Sequence, residues 1–148
     1  MKASKQCIEL IKRFEGCRLK AYKCPAGILT IGCGHTGLVN GKPITPDLTI
    51  TELMANTLLA IDLQKFENCI NTRVKKPLTQ SEFDSLVSFV FNIGEGNFAK
   101  STMLKLLNQG QFELAAQQFD RWVYAKGKVL KGLQKRRIAE KTLFLSRE

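Results

Sequence analysis

The stretch Phe14–Gly37, FEGCRLKAYKCPAGILTIGCGHTG, decides the fold, because helical spacing ends at its start and strand-like alternation begins inside it. Upstream, Cys7, Ile8, Ile11 and Phe14 recur three and four apart, Ser4 stands where an N-cap belongs, and Gly16 is a natural terminator. Glu15 therefore falls in the last turn of a first helix. From Arg18 onward the short runs LKAY, ILTI and GLVN alternate, and CPAG and NGKP interrupt them as turns. The pattern predicts a small three-stranded antiparallel sheet over about residues 18–44.

Downstream the chain reads as helical. LTITEL places Leu48, Thr49, Glu52 and Leu53 as a capping box with a hydrophobic staple, and LTQSEF repeats the device with Leu78, Thr79, Glu82 and Phe83. The first of these helices is expected over about Ile50–Asn71, long enough to join two lobes. The second ends at FNIGEG, and further helices are expected at about 102–108, 112–123 and 133–145, with a loop at 125–132. Leu114, Phe119 and Trp122 read as core. The fold class is α+β: one domain with a β-containing lobe at about 15–50, a helical lobe at about 1–14 and 72–148, and a connecting helix at about 50–71.

Composition narrows the function classes. Lys and Arg number 23 against 13 Asp and Glu, a formal charge of +10, which suits an anionic polymer such as nucleic acid or a bacterial wall. The basic clusters RVKK and QKRR are short, and no helix presents a convincing base-reading face, so nucleic acid is not the expected partner. No window reaches the roughly 18 apolar residues of a membrane span, and the first residues do not read as a signal peptide. The five cysteines, at 7, 17, 24, 33 and 69, lack close metal spacing and read as reduced thiols, with Cys7 and Cys69 packed in the core. Neither a metal nor a cofactor is expected.

The opening stretch also carries candidate chemistry. A carboxylate in the last turn of a helix faces the negative end of the macrodipole, which disfavours ionisation and suits Glu15 to proton donation. Cys24 precedes the turn and Thr30 lies on the returning strand, so an acid, a thiol and a hydroxyl could meet at one cleft. His35 reads as a hydrogen bond fixing the strand end rather than as a base.

The spacing of Glu, eight residues, Cys, five residues, Thr within EGCRLKAYKCPAGILTIGCGHTG resembles the catalytic signature of the phage-type lysozymes, the endolysin muramidases. The resemblance continues through LTQSEFDSLVSFVFNIGEGNFAKSTMLKLLNQGQFELAAQQFDRWVYAKGKVLKGLQKRRIAE, nearly the whole chain. It implies a lysozyme-like fold and hydrolysis of the β-1,4 bond between N-acetylmuramic acid and N-acetylglucosamine in peptidoglycan, without a cofactor. In these terms Glu15 is the general acid, Cys24 takes the place usually held by Asp, and Thr30 helps hold the attacking water. Phe91, Ser101 and Gln118 resemble positions lining the saccharide cleft. Arg136 and Arg137 are expected to brace the cleft or to pair with Glu140, and the AKGK segment departs from the glycine pair of the family motif. The resemblance further implies a monomer made in the host cytoplasm that depends on a holin to reach the wall.

An unperturbed thiol is only a few per cent thiolate at pH 7, so the site must lower the Cys24 pKa, use a small thiolate fraction, or use the thiol to place water. Lys23 is a candidate for the first effect. Cys17 or Cys33 could also pair with Cys24 under oxidation.

Overall fold

The computed structural model describes residues 1–146. The first helix, α1, spans Lys5–Glu15 with Cys7 and Ile11 buried, and ends at Gly16, whose φ of 71° admits no ordinary side chain without strain. Ser4 occupies the N-cap position but does not cap; its hydroxyl and backbone N–H both bond Asp84 on another helix. Two strands follow, β1 at Arg18–Lys23 and β2 at Leu29–Gly32, paired antiparallel with an irregular register between Arg18 and Tyr22.

The expected third strand at GLVN does not form. Asn40 and Gly41 both take positive φ, closing a tight turn in which Val39 and Lys42 make a single bridge that extends no further. The open edge of β1 is covered instead by the segment before the long helix, through Ala21 N–H to the Leu48 carbonyl at 2.9 Å and Ile50 N–H to the Leu19 carbonyl at 2.8 Å. Those bonds hold residues 48–50 extended, which moves the helix start past the expected Thr49 cap. The long helix, α2, runs Glu52–Arg73 with Thr51 as its N-cap, accepting from Met54 N–H at 3.1 Å. Glu52, expected to close a capping box, lies 3.3 Å from Lys12 instead.

The second cap stands where the sequence put it. Helix α3 covers Gln80–Ile93, with Thr79 and Glu82 exchanging side-chain and backbone bonds in a complete capping box. Then come α4 at Glu95–Ala99, which the sequence reading omitted, α5 at Thr102–Asn108 and α6 at Phe112–Gln117. A 3₁₀ turn at Gln118–Arg121 replaces the expected continuation of α6. Its tighter winding leaves Phe119 buried and Trp122 packed at the core edge, while Leu114, expected in the core, is exposed and Ala115 and Ala116 are buried in its place. The expected loop at 125–132 contains a hairpin, β3 at Tyr124–Ala125 and β4 at Lys128–Val129, before α7 at Lys131–Leu145.

Two hydrophobic clusters result. The larger draws on all seven helices, α1 to α7, with Leu86, Phe89, Phe98 and Met103 fully buried. The smaller joins Ile31, Val39, Ile44 and Ile50 to Ala55 and Leu58 at the start of α2. Because α2 contributes to both, it is the beam on which the hairpin lobe and the helical lobe are mounted.

Candidate active site

Glu15 is the last residue of α1, and its Oε1 receives a hydrogen bond from Arg136 Nη1 of α7 at 2.6 Å. Its side chain is 31% exposed while that of Arg136 is 4% exposed, so a buried guanidinium holds a carboxylate at the surface. Arg136 is fixed in turn by its Nε to Glu140 Oε2 at 3.2 Å and its Nη2 to the Ser88 carbonyl at 3.1 Å. Ser88 donates its hydroxyl to Glu140 Oε2 at 2.6 Å. Burial pushes the Glu140 carboxyl up, against the opposing pull of Arg137 and then Arg136.

Arg137 points elsewhere. Its Nη2 donates to Asn92 Oδ1 at 2.5 Å, its guanidinium lies 5.0 Å from the Phe89 ring centre, and its Nε stands 3.0 Å from Glu140 Oε1 in an ion pair outside hydrogen-bond geometry. Burial brings its pKa down to about 10, with Glu140 opposing. Of the two arginines, Arg136 therefore meets Glu15, and both share Glu140.

Cys24 opens the turn that joins β1 to β2. Its N–H donates to the Ile28 carbonyl at 2.9 Å and its carbonyl accepts from Gly27 N–H at 2.8 Å, with Pro25 next in the turn and Gly27 at φ 79°. The half-buried thiol is free, and its pKa is held below the ordinary value, first by the backbone at Ile28 and then at Ala26, with burial opposing and the Thr30 hydroxyl adding. These groups, and not Lys23, favour the thiolate. Thr30 is buried on β2, pairs with Tyr22 of β1, and donates to the Ile28 carbonyl at 3.0 Å. Its single proton serves either that carbonyl or the sulfur, and a thiolate is the stronger acceptor.

The cysteine expectation needs correction. Cys17 and Cys33 form a disulfide with Cα atoms 4.3 Å apart, leaving Cys7, Cys24 and Cys69 as the free thiols. The strand register explains the pairing: Arg18 faces Gly32, which sets their neighbours Cys17 and Cys33 side by side. The bridge pins the chain two residues beyond Glu15 to the end of β2. Cys7 and Cys69 are buried as expected, and burial raises both thiols.

His35 ties the lobes together. Its Nδ1 lies 2.8 Å from Asp62 Oδ2 on α2 and its Nε2 lies 3.0 Å from the Leu38 carbonyl, so both ring nitrogens face acceptors and the imidazolium satisfies both. Burial works against the charge, but Asp62 and the carbonyls of Leu38 and Gly37 outweigh it and raise the pKa. Sequence reasoning missed Asp62. Its signal was a carboxylate on the apolar stripe Leu58, Leu59, Leu63 and Phe66 of α2, where a partner is required.

A cleft of about 570 Å³ lies between the lobes on α2, lined by Gly34, His35, Asp62, Lys65, Phe66 and Phe91 among others. Phe91 meets Phe66 edge-on at 5.3 Å, so this expected cleft residue faces the interlobe space. Ser101 caps α5, accepting from Leu104 N–H at 3.1 Å and donating to the Phe98 carbonyl at 2.7 Å. Gln118 is half-buried at the start of the 3₁₀ turn. Neither lines this cleft, nor do Glu15, Cys24 and Thr30. The hairpin ladder relates those three: Gly32 pairs with Arg18 just beyond Glu15, and Thr30, one side-chain repeat along β2 or roughly 7 Å, touches Cys24.

Comparison with known proteins fits this arrangement. The phage lysozyme family model matches residues 12–140. The endolysin of Salmonella phage P22 is 45% identical over 146 residues, and that of Acyrthosiphon pisum secondary endosymbiont phage 1 is 45% identical over 150, each alignment covering 99% of both chains. A crystal structure of a P22 lysozyme variant superposes with a TM-score of 0.95 at 44% identity, and the muramidase domain of SpmX from Asticaccaulis excentricus with 0.87 at 41%, both covering 99% of each chain. Fold and relatives agree on a lysozyme-type glycoside hydrolase of the endolysin class. The chain belongs to the phage lysozyme family.

Proposed function

We propose that this endolysin cleaves the β-1,4 bond of peptidoglycan with Glu15 as general acid and Cys24, assisted by Thr30, as the group that places and deprotonates water. The observation that carries the reading is the Arg136 contact, which engages only Oε1 of Glu15. Oε2 is left to hold the proton and pass it to the glycosidic oxygen as the bond to the anomeric carbon breaks. The thiolate-favouring turn supplies the negative partner that an oxocarbenium-like transition state requires. Water then bonds to the anomeric carbon and its proton goes to the Cys24 sulfur. Phe91, Ser101 and Gln118 are assigned to the saccharide path, Phe91 with the support of its place in the interlobe cleft.

Among the described residues no helix is long and apolar enough to cross a membrane. A monomer made in the host cytoplasm and released to the periplasm through a holin completes the proposal. Release of new reducing ends from purified peptidoglycan by the unaltered protein, lost in a folded Glu15→Gln variant, is the expected result; equal release by both would overturn the role of Glu15.

A further inference from the structure

The catalytic reading gives no role to Glu140, a fully buried carboxylate set between two guanidiniums in the helical lobe. Burying a charge is costly, and a side chain needed only to fill this space would serve better if it were apolar. Both oxygens of Glu140 face donors or cations. Oε2 accepts from Ser88 Oγ at 2.6 Å and from Arg136 Nε at 3.2 Å, and Oε1 stands 3.0 Å from Arg137 Nε. Burial works against the charge, and Arg137, Arg136 and the Ser88 hydroxyl hold it in place.

The same arginine serves the proposed acid. Arg136 gives Nη1 to Glu15 and Nε to Glu140, so one cation is divided between a carboxylate at the surface and one in the core. Arg137 makes no hydrogen bond to Glu15, but the Glu15 charge, after burial, Glu140 and Arg136, is among the influences on its pKa. Both cations therefore act on Glu15. With both glutamates ionised the four groups balance, two positive and two negative. Once Glu15 carries the proton it must donate, one positive charge is left over. Removing the Glu140 charge as well would direct two cations at Glu15 alone and drive its proton off.

The surrounding elements add no further cation to Glu140. On α1, Cys7 faces it as a neutral thiol, its ionisation suppressed by burial and then by Asp84, Glu67 and Glu140. On α3, Asp84 is held by Ser4 and Gln80, and in the 3₁₀ turn Asp120 is held by Lys141 at the surface. Beside Glu15, Arg13 lies over the Phe14 ring, Lys12 pairs with Glu52, and Arg18 lies over the Tyr22 ring.

We infer that Glu140 is a positioning residue for the general acid: it engages Arg137 and part of Arg136, and so leaves Glu15 able to keep its proton until the glycosidic oxygen takes it. This inference rests on the reading of Glu15 as the acid and adds the group that balances the charge behind it.

The test follows Glu15 directly in the full chain, by NMR titration of its labelled carboxyl carbon, beside reducing-end release from purified peptidoglycan. Glu140→Gln should lower the Glu15 midpoint by roughly half to one pH unit, and Arg137→Gln should raise it by a similar amount. The double variant, balanced again with Arg136 and Glu15, should return to the midpoint of the unaltered protein. Release at pH 7 should fall roughly 3- to 10-fold in Glu140→Gln, in kcat and not in KM, and recover in the double variant. A packing role alone would harm both single variants alike and leave the double variant no better. Where Glu140→Gln does not fold, the step from Arg137→Gln to the double variant carries the test, and the midpoint must fall across it. A Glu15 midpoint indifferent to Glu140→Gln in either background, or a double variant that does not return, overturns the inference and leaves Glu15 as the acid. Midpoints that move as stated while release ignores them, with Glu15→Gln still active, fail the reading of Glu15 as the acid and the inference with it.

Discussion

Arg136 Nη1 lies 2.6 Å from Glu15 Oε1, joining the last helix to the end of the first across 121 residues of chain. The guanidinium is almost wholly buried and also serves Glu140 and Ser88, so it cannot follow a moving carboxylate. Arg136→Lys keeps the charge but loses the forked donor set, and should lower kcat roughly 10-fold or more. Arg136→Ala removes one of two cations facing buried Glu140 and should cost about 3 kcal/mol in denaturant unfolding. Arg136→Ala unfolding like the unaltered protein would contradict this description of the network.

The reactivity of the Cys24 thiol can be measured directly and set beside catalysis. Cys24 is the half-buried free thiol with a lowered pKa, while Cys7 and Cys69 are buried with raised values. Iodoacetamide should modify Cys24 first in the native protein, with a reaction midpoint below that of free cysteine, and peptide mass mapping would show it. Activity should disappear in step with that modification. Ile28→Pro, which removes a backbone donor from the turn, should shift the midpoint upward.

The His35–Asp62 pair carries a pH signature. Because the folded pKa of His35 is raised above its unfolded value near 6.5, the imidazolium contributes stability that is fully present below that value and lost as pH rises through the folded pKa. Denaturant unfolding should therefore show stability falling above about pH 6.5, an effect of about 1–2 kcal/mol for a partly exposed pair. Asp62→Asn should flatten that part of the profile while leaving the acid limb in place. A profile unchanged by Asp62→Asn would remove the pair from the account.

The Cys17–Cys33 bridge closes a loop with a sequence separation of 16. Chain-entropy arguments assign a loop of that size about 3 kcal/mol, or roughly 6–12 °C in Tm for a domain this long. Dithiothreitol should lower Tm by about that amount, and a Cys17→Ser/Cys33→Ser variant should show the lowered Tm without reductant and no further response to it.

These sites were not equally visible in the sequence. Thr79 and Glu82 announced α3 correctly because a capping box is a local device, complete within four residues. Thr49 offered the same letters and failed, because Ile50 N–H is taken by Leu19 on a distant strand and the helix waits for Thr51. The disulfide was hidden for a similar reason: nothing in the spacing of Cys17 and Cys33 selects them until the register of β1 and β2 places their neighbours opposite. Glu15, Cys24 and Thr30 were readable as a motif and as a hairpin. Asp62 and the choice of Arg136 over Arg137 were not, since both depend on how α2 and α7 turn toward residues far away in the chain.

The central claim is that a turn-held thiol does the work of a carboxylate opposite Glu15. Reducing-end release from purified peptidoglycan by Cys24→Asp and Cys24→Ala, each confirmed folded, tests it most directly. The account expects Cys24→Asp to stay within about an order of magnitude of the unaltered protein and Cys24→Ala to lose about 10²-fold or more. Cys24→Ala cleaving as fast as the unaltered protein would contradict it and leave Glu15 to act without a partner in the turn.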